Sequence, residues 1–357
     1  MGELHAFLGK LGLLSIDGFE FRKSLGGRSA LSSLYFRGDE KIVFKFLISP
    51  RNDVELERFK QEYSVLCMNS ANSTRNESGF IAFDYKFIGP PTSYPLPVIR
   101  YPLTQRLSGI ISFFGYAYED GVLLSELDTS SYTHEEKILL LYRISSGLSY
   151  FNQTGYSHRD MHPDNILLLN DYRMARYHWE DNDPRVKFLD MGSCQRANIE
   201  YDWMYRIERN LDEDLVFTEN NKRIVSSFMS MPPDFLSQGE KTENYDTWAF
   251  GIYAYKLFFG EYPFVANSIN DLTLLRENRE FGTRYKDNLN SLSVGEKLIL
   301  NHILSPNGKE RPSISTIVRL FSWLVQRGDE FQNPEFINRV IHNEGFDPNH
   351  DPVDDLY

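Results

Sequence analysis

Apolar positions in the first fifty residues fall in short runs separated by glycine-rich turns, which predicts β-hairpins between about residues 16 and 48. The last run, Lys41-Ile42-Val43-Phe44-Lys45-Phe46-Leu47, predicts a strand. Alternation sets Lys41, Val43, Lys45 and Leu47 on one face, with Ile42, Phe44 and Phe46 on the other. A lone lysine in a strand is ordinarily a solvated edge residue, so Lys45 by itself carries no function. Over residues 53–68 the pattern changes period. Leu56, Phe59, Tyr63 and Leu66 recur at three- and four-residue steps, which predicts a helix with Glu62 beside its apolar stripe. A proline-broken segment from Pro90 to Pro102 holds a short strand, Val98-Ile99-Arg100-Tyr101, and reads as the link between two lobes.

Thr133 followed by Glu136 forms a capping-box pattern for a helix running to about residue 153, with Ile138, Leu141, Ile144, Leu148 and Phe151 as its buried stripe. Strands are predicted at Ile166-Leu167-Leu168-Leu169 and at Arg185-Val186-Lys187-Phe188-Leu189-Asp190, with the polar stretch from Asn170 to Pro184 as an embellishment between them. A further helix starts near Asp246 and runs to Gly260; it is apolar nearly all round, which marks a helix inside a large domain. From Gly328 onward the chain is acidic and interrupted by Pro334, Pro348 and Pro352, the composition of a partly ordered tail. No internal repeat is present.

Composition narrows the classes. A chain of 357 residues that is 41% hydrophobic can bury a substantial core. A formal charge of -12 argues against a broad nucleic-acid-binding surface, which would need a high density of Lys and Arg. Cys67 and Cys194 are the only cysteines, too few for a disulfide framework or a four-thiolate metal site. No run reaches the roughly 18 apolar residues of a membrane span. Ala6 breaks the myristoylation pattern that Gly2 would begin. The expectation is a protein of the cytoplasm, or of a host-cell cytosol if it is exported as an effector.

Candidate chemistry concentrates in His158-Arg159-Asp160-Met161-His162-Pro163-Asp164-Asn165. His158 and His162 have the spacing of a helical zinc pair, but no glutamate lies between them and Pro163 interrupts a helix. No Gly-x-Ser-x-Gly elbow supports a serine hydrolase. Phosphoryl transfer fits better, because it needs charge-handling groups at the ends of adjacent strands. A loop turning between Asp160 and Asn165 can offer a carboxylate to a hydroxyl and an amide oxygen to a divalent cation. Asp190, ahead of Gly192, can supply a second oxygen ligand.

Lys45, Glu62, His158-Arg159-Asp160 with Asn165, Asp190-Met191-Gly192, Pro232-Pro233-Asp234, Asp246-Thr247-Trp248 with Gly251, and Arg311-Pro312-Ser313 follow the order of motifs in eukaryotic-like (Hanks-type) serine/threonine protein kinases. The chain resembles that family over residues 20–327. The resemblance implies an α+β, bilobal, protein-kinase-like fold. Its parts would be a small β-rich N-lobe at 1–101 with a short N-terminal extension, a large helical C-lobe at 102–327, and an acidic tail at 328–357. It also implies ATP with Mg2+ or Mn2+ as cofactors. Lys45 would hold the α- and β-phosphates, positioned by a helix glutamate; Glu62 has the best spacing, with Glu55 and Glu57 as alternatives. Asp160 would accept or steer the substrate hydroxyl proton, and Asn165 and Asp190 would ligate the metal. His158 would be structural, and Arg159 would answer a charge on the activation segment. Asp234 with Arg311 resembles a buried ion pair of the family, and Asp246 would anchor the catalytic loop.

Several positions depart from the family pattern. The phosphate-covering loop keeps its glycines at Gly26 and Gly27, whereas Arg28 and Leu31 fill the later positions and restrict backbone approach to phosphate. Ile99-Arg100-Tyr101-Pro102 resembles the strand-to-hinge passage against which adenine packs, which would bring Ile99 and Tyr101 to the nucleotide. Pro102 at the donor position would remove a backbone N–H; a register shifted by one puts the donor at Tyr101 or Leu103. The long segment after Asp190 carries Tyr205, Thr218, Ser226, Ser227 and Ser230, and autophosphorylation is expected within 201–230. Ser227 falls where these kinases carry a threonine beside the substrate, although an ordinary polar loop residue is the alternative. His162 replaces the usual lysine and resembles the Asp-x-His-x-x-x-Asn loop of aminoglycoside and choline phosphotransferases, which usually lack an arginine like Arg159.

The expected function is therefore ATP-dependent phosphorylation of serine or threonine in protein substrates. The alternatives are a small-molecule phosphotransferase and a nucleotide-binding pseudokinase scaffold. A protein substrate is the expected partner, a regulatory partner is left open, and neither a membrane span nor a particular oligomeric state is implied.

Overall fold

The computed structural model describes residues 3–27, 30–50, 53–72, 92–100, 106–170, 172, 185–196, 230–236, 244–266, 269–278, 281–327 and 333–342. Arg28, Tyr101, Pro102, Leu103 and Ser227, and with Ser227 most of the expected autophosphorylation segment, lie outside the described residues. Two compact units emerge. The first comprises Met1–Val122, Leu168–Asp183 and Lys187–Cys194, and the second Leu123–Leu167, Pro184–Val186 and Gln195–Tyr357. The first is β-rich and the second helical, as the α+β expectation requires.

The first unit opens with helix α1 (Glu3–Lys10) and continues through β1 (Ser15–Ile16), β2 (Phe19–Gly26), β3 (Leu31–Arg37), β4 (Glu40–Ile48), helix α2 (Asp53–Asn72), β5 (Thr92–Arg100) and β6 (Arg106–Ala117). The strands form one antiparallel sheet in the order β1-β2-β3-β4-β6-β5. On one face Ile42, Phe44 and Phe46 of β4 join Tyr35, Ile111 and Phe19 in a cluster closed by Phe7 and Leu8 of α1. Burying those two α1 side chains contributes about 1.5–3 kcal/mol each. The Tyr35 hydroxyl donates to the Leu13 carbonyl at 2.8 Å and fixes the chain after α1. Toward α2, Phe114 of β6 meets Phe59 with ring centroids 4.7 Å apart and Tyr63 at 5.9 Å.

Strand β4 lies between β3 and β6, so Lys45 occupies a central strand, unlike the solvated edge lysine that its isolated occurrence predicts. A second correction concerns the expected link at 90–102. Ile99 and Arg100 pair with Leu107 and Arg106 of β6, and the first unit runs on to Val122. The chain leaves that unit after β6, not after β5. The prolines of β5 misled because Pro95 and Pro97 sit in the edge strand of the sheet, where a missing N–H is tolerated. Three shorter strands, β7 (Gly121–Leu123), β9 (Ile166–Leu169) and β10 (Val186–Phe188), form a separate sheet in the order β10-β9-β7.

In the second unit, helix α3 (His134–Gln153) starts at the predicted capping box: the Thr133 side chain accepts from the Glu136 N–H, and Glu136 accepts from the Thr133 N–H. Such a cap contributes about 1 kcal/mol. The chain returns through β8 (Tyr156–Ser157), which pairs with β11 (Gln195–Arg196). Helix α4 (Tyr245–Phe259) is buried on nearly every side and ends where Gly260 takes a left-handed conformation, φ 73°, its N–H bonding the Lys256 carbonyl at 2.8 Å. Helices α5 (Ile269–Asn278), α6 (Tyr285–Asn290), α7 (Val294–Ile303) and α8 (Ile314–Arg327) follow, and α8 packs on α3. Within the acidic tail, residues 333–342 hold more order than its composition predicts. Asn333 caps helix α9 (Pro334–Ile341), whose Phe336, Ile337 and Val340 are buried against α7 and α8. The acidic residues on either side of this short stripe hide it in a mean composition. No helix among the described residues is long and apolar enough to cross a membrane.

Candidate functional site

In the first unit, the alternation of β4 points Lys45 to the face shared with Val43 and Leu47, where α2 supplies Glu62. The Lys45 ammonium donates to Glu62 Oε2 at 2.6 Å and lies 3.4 Å from Asp190 Oδ1. Glu55 does not take this place. Lys45 and Glu62 side chains are 12% and 5% exposed, so the pair is held in a low-dielectric setting, whereas the Asp190 side chain is 41% exposed. Burial alone would depress the lysine; the charges of Asp190 and Glu62 outweigh it and hold the ammonium protonated well above its ordinary range. Burial pushes the Glu62 carboxyl up to about 7 and the Asp190 charge adds to this, against the opposing pull of Lys45 and Arg58. The two directions belong together: one ammonium faces two carboxylates, so the cluster retains a proton that a simple pair would release.

Asp190 itself sits in a left-handed backbone conformation, φ 58°, at the start of a 3-10 turn, Met191–Ser193. Such a conformation is uncommon for a residue with a Cβ and requires surrounding contacts to hold it. At the end of β2, Gly26 and Gly27 have φ of 93° and 122°. A Cβ at Gly27 would fall 1.9 Å from the Ala30 carbonyl oxygen, so glycine is required there by the turn itself. Ile99 lies within β5, and the passage out of the first unit lies beyond β6.

In the second unit, the loop from His158 to Asn165 is fixed by Asp246 of α4. One Asp246 oxygen accepts from the His158 N–H and the Asn152 amide, at 2.8 and 3.0 Å, and the other accepts from the Arg159 N–H at 2.8 Å. His158 is fully buried and its Nδ1 accepts from the Asp160 N–H at 3.3 Å. Arg159 takes φ 63° and places its guanidinium over the Tyr245 ring, 5.1 Å from the centroid. Asn165 donates through its NH2 to the Asp160 carbonyl at 2.9 Å and to Asp160 Oδ2 at 3.4 Å, which leaves its amide oxygen for another partner. The Asp160 side chain is 22% exposed. His162 lies beside it, Nε2 to Oδ1 3.8 Å, with Nδ1 3.6 Å from Asp164 on its other side.

Arg311 and Asp234 pair in the second unit at 2.7 and 3.0 Å, and Arg311 also bonds the Ser305 carbonyl at 3.0 Å. Asn244 and Thr247, at the start of α4, donate to the carbonyls of Arg311 and Pro312 at 2.8 and 3.1 Å. These contacts tie the base of α4 to the turn before α8. Sequence reasoning missed Asn152, Arg58, Gln61 and Ser193. Only the last-turn position of Asn152 in α3 and the i,i+4 relation of Arg58 to Glu62 were visible beforehand.

The family model of the protein kinase domain matches residues 112–322, more than half of the chain. That match begins in β6, so Lys45 and Glu62 precede it. The chain is 24% identical over 213 residues to the calcium and calcium/calmodulin-dependent serine/threonine-protein kinase of Lotus japonicus, covering 58% of this chain and 35% of that protein. It is 24% identical over 274 residues to the serine/threonine-protein kinase ULK1 of Homo sapiens, covering 76% of this chain and 22% of that protein. The chain thus spans about a third or less of the length of these curated relatives. With a domain match of this extent, and with the ordered motifs on the elements described above, the chain belongs to the protein kinase family.

Proposed function

We propose that the protein transfers the γ-phosphoryl group of ATP to serine or threonine hydroxyls of protein substrates. The observation that carries this reading is the His158–Asn165 loop, where Asp246 fixes the backbone just before Asp160 while the Asp160 carboxylate keeps access to solvent. A base so placed can take the hydroxyl proton as the oxygen bonds to phosphorus and ADP leaves with the electrons of the broken P–O bond. Lys45, kept cationic by its two carboxylate neighbours, would hold the α- and β-phosphates.

The oxygen donors fit a hard divalent cation: the amide oxygen of Asn165 is spared by the bonds its NH2 makes, and the Asp190 carboxylate is partly exposed. By the family resemblance, Asn165 and Asp190 would be ligands of Mg2+ or Mn2+, which when bound neutralises phosphate charge. Similarity to serine/threonine-protein kinases favours serine and threonine over other acceptors. Arg159, with the Asp234–Arg311 tie, favours a protein over a small-molecule acceptor. Autophosphorylation within 201–230, Ser227 beside the acceptor, and a location in the cytosol belong to the same reading.

A radiolabelled-ATP assay tests it, with wild type and Asp160→Asn offered protein substrates and a panel of amines and alcohols. Labelled phosphoserine or phosphothreonine is expected, with a loss of at least about a hundredfold in the variant and Mg-ATP affinity retained. Labelling of small molecules alone would establish a metabolite phosphotransferase. Nucleotide binding without transfer would establish a pseudokinase.

A further inference from the structure

Helix α2 does more than present Glu62. Arg58, Gln61 and Glu62 stand at helical spacing, so the three side chains leave one face of α2 together. Glu62 reaches Lys45, while the other two reach the chain just beyond Asp190. The Arg58 guanidinium donates to the Ser193 hydroxyl, and the Gln61 amide donates to the Cys194 carbonyl at 3.2 Å. Ser193 is 2% exposed, so its bond to a charged donor is shielded from water. Between these contacts the turn lies directly on the helix: a Cβ on Gly192 would come 3.2 Å from the Arg58 carbonyl oxygen and 3.4 Å from the Asp190 carboxylate. Contacts therefore run from Lys45 to Glu62, along α2 to Arg58 and Gln61, across to Ser193 and Cys194, back along the turn to Asp190, and from Asp190 to Lys45 again.

We propose that Arg58 and Ser193, assisted by Gln61, are positioning residues that clasp α2 to the Asp190 turn, so that the Lys45–Glu62 pair and Asp190 take up their places as one unit. This rests on the reading of Lys45 and Asp190 as nucleotide and metal ligands. None of the three clasp residues touches substrate; each acts through a residue that does. The left-handed φ of Asp190 gives the clasp work to do, because a backbone held off its preferred conformation relaxes when its anchor is removed. The clasp joins positions more than a hundred residues apart, |i−j| of 135 for Arg58–Ser193 and 133 for Gln61–Cys194, so it is formed only by the folded unit.

The test is a double-mutant cycle on Mg-ATP affinity, measured by calorimetry on the full chain, with Arg58→Ala, Ser193→Ala and the double variant. Each single change is expected to raise Kd about tenfold, and the double variant about as much as either one, because both remove the same link. Arg58→Lys, which keeps the charge, should recover part of the affinity, and kcat at saturating nucleotide should stay within about twofold of wild type. A Kd for Arg58→Ala within about twofold of wild type, or effects that multiply in the double variant, would overturn the clasp. Hydrogen exchange on the nucleotide-free protein gives a second readout. Ser193→Ala should speed exchange of α2 amides, and unchanged exchange there would also overturn the proposal. If wild type binds no Mg-ATP, the nucleotide reading falls, and the exchange measurement still decides the clasp.

Discussion

Lys45 and Glu62 show how a residue's chemistry is set by what surrounds it. A glutamate in solution is ionised at neutral pH; here burial and a neighbouring carboxylate push it up to about 7. Between its ordinary value of 4.5 and about 7, the folded protein binds more protons at this site than the unfolded chain does. The stabilisation is fully present below the unfolded value and is lost as pH rises through the folded one. Wild type should therefore lose stability relative to Glu62→Gln, which mimics the neutral acid, over that window. Thermal melts of the two proteins, free of nucleotide, from pH 4.5 to 7.5 will show it; parallel melting curves would rule out the raised value. The expectation that Lys45 meets a carboxylate came from a family pattern and a helical period. That Asp190 shares the ammonium with Glu62 came from a distance no period encodes.

At the scale of elements, the strongest local signals gave the most. The capping box at Thr133, the glycine after α4, and the alternation in β4 lie at or near the predicted residues, because each is written in a few consecutive positions. Helix α1, β6 and α9 were harder to see. Strand β6 carries Ser108-Gly109 and Gly115 inside it, which interrupt its apolar pattern, and α9 is concealed by the acidic residues around it. The close approach of α4 to the end of α7 was likewise invisible. A Cβ at Gly251 would fall 2.3 Å from Ile303 Cγ2 and 3.0 Å from Leu304 Cδ2. Gly251→Ala should accordingly destabilise the protein by about 1–3 kcal/mol despite the better helix propensity of alanine. Urea unfolding will read this as a lower midpoint at constant slope; a raised midpoint would mean that the neighbouring side chains repack without strain.

For the whole molecule, charge and connectivity act at long range. With a formal charge of -12, the protein should not retain duplex DNA or RNA at physiological salt. A fluorescence-anisotropy titration with random-sequence oligonucleotides tests this, and binding below about 10 μM that weakens steeply with salt would reveal a basic surface that the net charge conceals. The sequence by itself determined the α+β class, the periods of its longer elements, the kinase resemblance, and the residue types available for phosphate, metal and proton chemistry. Those properties are local or compositional, and a single chain displays them directly. Tertiary structure alone decided that Pro95 and Pro97 belong to an edge strand, that the chain leaves the first unit after β6, that Asp246 holds the loop before Asp160, and that Arg58 meets Ser193. Each depends on pairing between residues far apart in the chain. Periodicity names the face a residue occupies; only closure of the intervening chain brings its partner to that face.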